Sequence, residues 1–367
     1  STGAEEALCR QHPEEAGLIH YLASAGGFPV YSRTRSTYYP SGEAFFAAFL
    51  QDLKQARRSI FLEYFIIEEG TMWGQILDVL TRKVDEGVDV RFLYDGTCEF
   101  FKVSRDYCNH LKDLGLQCRV FAPIKPFLST HYNYRDHRKI AVIDGRIAYT
   151  GGINLADEYI NATHPFGHWK DTAIRLEGDA ARTFTLLFLQ MWQMERRDFS
   201  FGPWLEMPAA LPEGDGGYVI PYGDHPLDGE PVGEWVYTHI LNQARDYVHI
   251  MTPYLILDSE LEAALRFAAR RGVEVTLILP HIPAFFTPRS SSATACGARW
   301  VLSIWITAAS ITILNAALIC AAGPARPGWK RTFRKRWLSL SLSPARRPPT
   351  PARFGGSWEC WPRYWHR

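Results

Sequence analysis

The chain has 367 residues, 47% of them hydrophobic and 22% charged, with 40 Lys and Arg against 39 Asp and Glu. That length buries a core large enough for two domains or one large duplicated unit, and a net charge of +1 excludes binding driven by overall basicity. The average hides a division: beyond Phe285 lie 13 basic residues and a single acid, Glu359, a tail of +12 behind a body (1–284) of −11.

Seven cysteines (Cys9, Cys98, Cys108, Cys118, Cys296, Cys320, Cys360) are scattered without any Cys-x-x-Cys. They form neither a disulfide framework nor a zinc ligand set, so reduced thiols in a cytosol-facing domain are expected. The chain opens at Ser1 with no Met and no signal-like apolar run, which reads as a piece of a longer or processed chain.

Residues 41–150 alternate between helix and strand. Phe45–Arg58 is an amphipathic helix, Ser59–Ile67 an apolar strand, Gly74–Asp85 a second helix ended by Gly87, and Val88–Tyr94 a second strand. That order predicts an α/β fold with helices on the faces of a sheet. A second copy follows. Gln55-Ala56-Arg57-Arg58-Ser59-Ile60 is echoed by Gln243-Ala244-Arg245-Asp246-Tyr247-Val248, and Glu86-Gly87-Val88-Asp89-Val90 by Arg271-Gly272-Val273-Glu274-Val275. Order and spacing both match, which predicts two homologous halves packed about a pseudo-twofold axis. Pro203–Asp228, rich in Pro, Gly and Asp, reads as the link between them, followed by a helix from Glu230.

The chemistry is carried by His137-Arg138-Lys139-Ile140-Ala141-Val142-Ile143-Asp144, of the form H-x-K-x4-D. Apolar Ile140–Ile143, an Asp144-Gly145 turn and Arg146–Thr150 predict a hairpin. On a strand, His137 and Lys139 project from one face. A fixed ammonium beside an imidazole suits a phosphate group: lysine neutralises the non-bridging oxygens while histidine attacks phosphorus or moves a proton. Gly151 and Gly152 let backbone approach a ligand closely, and Asn154 offers an amide to the phosphate. Asp144 has the wrong parity to share the face of His137, so its expected part is to hold the hairpin or bond backbone amides. The carboxylate that orients His137 is expected from Asp171, in His168-Trp169-Lys170-Asp171-Thr172.

H-x-K-x4-D followed by Gly-Gly-x-Asn resembles the phospholipase D superfamily. The flanks are similar to bacterial cardiolipin synthases in Asn133-Tyr134-Arg135-Asp136-His137-Arg138-Lys139, Thr150-Gly151-Gly152-Ile153-Asn154, Ile220-Pro221-Tyr222-Gly223-Asp224, Thr252-Pro253-Tyr254-Leu255 and Ile278-Leu279-Pro280-His281-Ile282-Pro283. The likeness covers most of 15–283. It implies a duplicated phospholipase D-like α/β fold with mixed sheets flanked by helices, and a phosphatidyl transfer needing no metal or other cofactor. One histidine forms a phosphohistidine, and the histidine of the other half protonates the leaving glycerol and then activates an acceptor hydroxyl. The implied partners are phosphatidylglycerol, two molecules of which give cardiolipin and glycerol, and the anionic surface of the bacterial inner membrane. The catalytic domain would face the cytosol, with the family's membrane helices upstream of Ser1. No specific nucleic acid is implied, and homo-oligomers are left open.

The duplication calls for a second H-x-K-x4-D, and the chain lacks it: after Pro283 the only histidine is His366. Seven of the twelve Trp and eight of the 23 Pro lie beyond Phe285, with no Asp. In a shifted reading frame, with synonymous codons chosen freely, His281–Thr294 accommodates H-x-K-x4-D and Arg299–Ile319 a Gly-Thr-x-Asn segment, so a frameshift is expected here. The uncharged run Trp300–Ala322 is long enough to span a bilayer, with basic residues from Arg326, but under the frameshift reading it is an accident of translation. Arg326–Arg367 has no periodicity. The expected organisation is thus an N-terminal segment (1–40), a first half with the motif (41–205), a linker (206–228), an incomplete second half (229–284) and an aberrant basic tail (285–367). The favoured reading is a phosphatidyltransferase retaining half its apparatus and nearly inactive alone. The alternatives are a single-motif phosphodiesterase or nuclease active as a homodimer, which the acidic body disfavours for DNA, and a non-catalytic pseudogene product.

Overall fold

A computed structural model describes residues 2–124, 135–194, 201–205, 217–224, 229–252, 257–278 and the strand backbones at 303–306, 311–314 and 317–320. Most of the expected linker and all of Arg326–Arg367 lie outside the described residues.

Two helices lead, α1 (Thr2–Gln11) and α2 (Ala16–Gly26), then strand β1 (Thr34–Tyr39). The first predicted helix–strand pairs follow as α3 (Gly42–Gln55), β2 (Ser59–Tyr64), α4 (Thr71–Asp85) and β3 (Asp89–Asp95). Next come α5 (Cys98–Phe101), α6 (Tyr107–Asp113), β4 (Gln117–Phe121), the hairpin β5 (Ile140–Ile143) and β6 (Ile147–Gly151), β7 (Ala173–Gly178), α7 (Ala181–Gln193) and α8 (Gly202–Leu205). The second half comprises β8 (Tyr218–Pro221), α9 (Val232–Gln243), β9 (Tyr247–Met251), α10 (Ser259–Arg270), β10 (Glu274–Ile278), β11 (Ser303–Ile306), β12 (Ile311–Leu314) and β13 (Ala317–Cys320).

Side-chain oxygens start the helices. The Ser41 hydroxyl accepts from the Ala44 amide, and Asp258 Oδ1 accepts from the Leu261 amide. Asp157, from a loop, caps α4 by accepting from the Thr71 and Met72 amides at 2.9 and 2.7 Å. Asp144 and Gly145 both have positive φ, 54° and 64°, the type I′ geometry that an Asp-Gly turn supplies to a two-residue hairpin.

The first sheet runs β1-β7-β6-β5-β2-β3-β4 and the second β10-β9-β11-β12-β13-β8. Read from the other edge, the second is β8-β13-β12-β11-β9-β10, the first six strands of the first sheet with each counterpart in place. Even the register repeats: Ile140 pairs with Glu63 and Ile143 with Ile60, while Ser303 pairs with Met251 and Ile306 with Val248. Helices α3 and α4 cover one face of the first sheet through Phe45, Phe49, Leu53, Trp73, Ile76 and Leu80. The apolar face of α7 (Phe184, Phe188, Leu189, Trp192) covers the other.

Two expected boundaries change. Residues 1–40 are not an appendage: Leu8, Leu18, Ile19 and Leu22 join the core of the second half, and β1 pairs with β7. Residues 285–367 are not one tail either. Three strands from 303–320 complete the second sheet, and the compact unit runs from Ser1 to Ala325. Within the uncharged run Trp300–Ala322, residues 303–306, 311–314 and 317–320 are short strands paired into the second sheet rather than parts of one long helix. Among the described residues, no helix is long and apolar enough to cross a membrane.

Candidate functional site

The site forms where β5 begins. His137 and Lys139 precede the strand in extended backbone, and their side chains meet: Lys139 Nζ lies 3.0 Å from His137 Nδ1 and donates to the His137 carbonyl at 2.5 Å. Phe65, just past β2, floors both. Its ring centroid is 4.6 Å from that of the imidazole and 5.2 Å from Nζ. The Cys98 thiol donates to the Phe65 carbonyl at 3.0 Å.

Burial dominates the electrostatics. It pulls Lys139 down to about 7, against the carboxylates of Asp136, Asp171 and Asp95 that favour its charge. Burial and the neighbouring Lys139 hold His137 well below its usual range, so the imidazole is neutral at pH 7. Burial lifts Asp171 to about 6, opposed by hydrogen bonds from the Thr172 amide and the Trp169 indole and by the charges of Lys139 and Lys170. Asp171 was expected on the second ring nitrogen of His137. It instead acts on Lys139, whose Nζ takes the place beside Nδ1.

The remaining predicted residues have definite tasks. A Cβ on Gly152 would lie 2.2 Å from Asp171 Oδ1, and one on Gly151 would lie 2.4 Å from the Thr172 carbonyl oxygen. The glycines therefore admit Asp171 and the neighbouring strand. Asn154, expected on a phosphate, is buried with both ends of its amide engaged. Oδ1 accepts from the Ile66 amide at 3.0 Å and Nδ2 donates to the Tyr159 hydroxyl at 2.7 Å. Its contacts tie the loops around the site together. Asp144 accepts from the backbone amides of Arg57, Arg58 and Ser59, closing the far end of the hairpin onto β2.

Sequence reasoning missed the opposite face of the motif. Asp136 and Arg138 alternate with His137 and Lys139 and point to the α7 side. Arg138 Nε donates to the fully buried Glu63 at 2.6 Å, the Arg138 amide donates to Asp136 Oδ1 at 3.2 Å, and the Asp136 amide donates to Asp95 Oδ2 at 3.1 Å. Asp95 also accepts from Arg135, 3.5 Å away. This chain bolts the motif to β2 and β3. The signal was available: Glu63 and Asp95 are isolated acids in apolar strands. A cleft of about 1060 Å³ opens on this side, lined by Arg33, Arg138, Arg182 and Leu187, away from His137 and Lys139.

The second half supplies no counterpart to the pair. Ser303 stands in the register position of Ile140, and the residues three and one before it in the sequence are Trp300 and Leu302, which lie outside the described residues.

A duplicated mixed sheet with a buried His-x-Lys pair at the mouth of its central hairpin defines a phospholipase D-like protein. The family described as "Cardiolipin synthase, PLD-like domain" matches residues 49–192 and 237–312. A cardiolipin synthase of Alkalihalophilus pseudofirmus is 35% identical over 281 residues, covering 76% of this chain and 56% of that protein. Cardiolipin synthase 2 of Bacillus anthracis is 34% identical, covering 78% and 56%. An uncharacterized protein of Streptococcus mutans is 56% identical, covering 75% and 60%. The structure of a phosphatidylserine synthase from Haemophilus influenzae superposes with a TM-score of 0.59 at 13% identity, covering 90% of this chain and 91% of that one, a likeness of fold. The chain belongs to the cardiolipin synthase family of phospholipase D-like proteins, and spans 56–60% of the length of these three sequence relatives.

Proposed function

We propose that this chain carries one half of the catalytic apparatus of a phosphatidyltransferase that joins two phosphatidylglycerols into cardiolipin and glycerol at the bacterial inner membrane, its catalytic face towards the cytosol. The observation that carries the reading is the part-buried contact between His137 and Lys139. A neutral imidazole is the form that attacks phosphorus. With Lys139 titrating near 7, the Nζ–Nδ1 contact runs either way: as an ammonium donating to Nδ1, or as an amine accepting its proton. The second arrangement puts the ring proton on Nδ1 and makes Nε2 the unprotonated, nucleophilic nitrogen. In the transfer, an imidazole nitrogen bonds to phosphorus as the bond to the leaving glycerol oxygen breaks. As the ring bonds to phosphorus its Nδ1 proton passes to the Lys139 amine, and the resulting ammonium, favoured by Asp171, offsets the charge gathering on the phosphoryl oxygens.

The second motif would protonate the leaving alkoxide and then activate the acceptor. The sequence holds no second H-x-K-x4-D, so slow protonation by water lets the histidine adduct form while its transfer onward stalls. Turnover by this chain alone is accordingly expected to be close to nil. The test is trapping. The purified chain is mixed with phosphatidylglycerol labelled in its phosphatidyl phosphate, quenched in base and mapped by mass spectrometry. A base-stable label on His137 that His137→Ala abolishes is expected. Label on another residue, or label persisting in the variant, would overturn the assignment. Cardiolipin formed at a rate ordinary for the family would overturn the half-apparatus reading. Sequencing the coding DNA across codons 275–300 tests the frameshift, which fails if no frame encodes a second motif.

A further inference from the structure

The exposed loop 162–168 lies between the single helical turn Asp157–Ile160 and β7, and one side chain closes its neck. Asn161 stands in the left-handed region, φ 54° and ψ 29°, which asparagine enters more readily than most residues with a side chain. Its amide group spans the neck. Oδ1 accepts from the Trp169 amide at 2.7 Å, and Nδ2 donates to the Trp169 carbonyl at 3.0 Å. Nδ2 also donates to Glu43 Oε1, in the first turn of α3, at 2.9 Å. One side chain thus pairs both backbone groups of Trp169, as a neighbouring strand would, and ties them to α3.

The Trp169 indole is fixed in turn. Its ring packs on Tyr159, with centroids 5.0 Å apart, and on Phe166 at 6.0 Å. Its Nε1 donates to Asp171 Oδ2 at 3.5 Å, while Asp171 Oδ1 accepts from the Thr172 amide at 2.7 Å. Thr172 is the next residue along and moves with Asp171, whereas the residue bearing the indole is held from outside, by Asn161. The sheet carries the arrangement to the motif. Gly151 pairs with Ala173, and Thr150 with both Ile174 and Ile140, so Asp171 and Lys139 stand at the same end of the ladder. Asp171 lies against Gly152 there and favours the ammonium of Lys139.

We infer that Asn161 is a positioning residue of the site: its clamp on Trp169 aims the indole N–H at Asp171 and so holds that carboxylate beside Lys139. The inference rests on the part proposed for Asp171 in the transfer, and adds to it what keeps Asp171 in place from outside its own strand. A misplacement of about 1 Å can cost a site on the order of 100-fold in rate. A carboxylate that follows a mostly exposed loop therefore needs a tie to a rigid element, and Asn161 supplies one through α3.

The test reads Lys139 directly, independently of turnover. The full chain is made with isotope-labelled lysine, and the Lys139 side-chain resonance, assigned by its absence in Lys139→Met, is followed by NMR as pH is varied. The titratable groups facing Lys139 are His137, Asp136, Asp95, Asp171 and Cys98. Asn161→Gly keeps the left-handed backbone and removes the clamp. Trp169→Phe keeps a ring against Tyr159 and removes the indole N–H. Losing that hydrogen bond makes Asp171 protonate more readily, and a carboxyl group that is neutral or displaced no longer favours the ammonium. Each variant should therefore lower the Lys139 midpoint by about half a pH unit or more, and the double variant no further than the larger single. An unchanged or raised midpoint in a folded Asn161→Gly, or additive shifts in the double variant, would overturn the inference. Circular dichroism checks each variant; should Asn161→Gly not fold, Trp169→Phe decides by the same criterion. His137 labelling is measured alongside: its absence in the unmutated chain sinks the phosphatidyl-transfer reading, while the titration still decides the positioning of Asp171.

Discussion

Replacing Glu63 by leucine should cost more than any loss of packing explains. Glu63 is fully buried in β2, and its Oε1 accepts the Arg138 Nε hydrogen at 2.6 Å. Without it, a guanidinium whose side chain is 13% exposed keeps a carboxylate contact only to Asp136, at 3.5 Å, plus a 3.4 Å bond to the Leu187 carbonyl. Removing one partner of a buried ion pair costs roughly 3–5 kcal/mol, or about two to four orders of magnitude in the folding equilibrium. A domain holds about 5–15 kcal/mol in total, so the variant approaches instability. Arg138→Met should cost as much, because it strands Glu63. The double variant Glu63→Leu/Arg138→Met leaves no stranded charge between these two positions and should cost well under the sum of the singles. Urea unfolding at neutral pH, followed by tryptophan fluorescence, measures all three. Singles costing below about 1 kcal/mol, or a double equal to their sum, would refute the buried pair as the bolt that holds the motif.

Three further outcomes are expected. Lys139→Met should stabilise the protein at pH 7, because folding depresses the lysine from 10.5 to about 7. The folded state then binds fewer protons than the unfolded chain between those values, so the wild type gains stability as pH rises through the window. The variant's advantage in thermal midpoint should accordingly shrink to nothing near pH 10.5, and a pH-independent difference would contradict the burial of a charged Lys139. Gly152→Ala should leave circular dichroism intact yet cut labelling of His137 about 100-fold, since the new Cβ displaces Asp171; full labelling would remove Asp171 from the site. Asp144→Ala strands three backbone amides, only that of Ser59 in a buried residue, and should cost roughly 1–3 kcal/mol in urea unfolding. It should spare His137 labelling, and a folded variant that no longer labels would place Asp144 in the chemistry.

The first half was largely legible because its signals are local. Helix α4, with its predicted start at Gly74 and observed start at Thr71, moved only by the length of a cap, and that cap belongs to Asp157, a residue 86 positions away. The hairpin was readable because an Asp-Gly turn fixes register, and register alone puts His137 and Lys139 on one side and Asp136 and Arg138 on the other. The partners of that second face were not readable. Glu63 and Asp95 lie 75 and 41 residues before the residues they bind, Arg138 and Asp136, and nothing local says which buried acid a given arginine will meet. At Gly152 the sequence pointed to a close approach, but not that Asp171, 19 residues on, is the protein group that makes one.

By itself the sequence determined the duplication, the place of the one H-x-K-x4-D motif and the absence of its twin, since each is a matter of spacing along the chain. Tertiary structure alone decided where the strands of 303–320 belong, that the N-terminal helices complete the second core, and that Lys139 rather than Asp171 stands beside Nδ1 of His137. In each case the deciding quantity is distance through space: sheet pairing, burial and charge all act between groups the fold brings together from far apart in the chain.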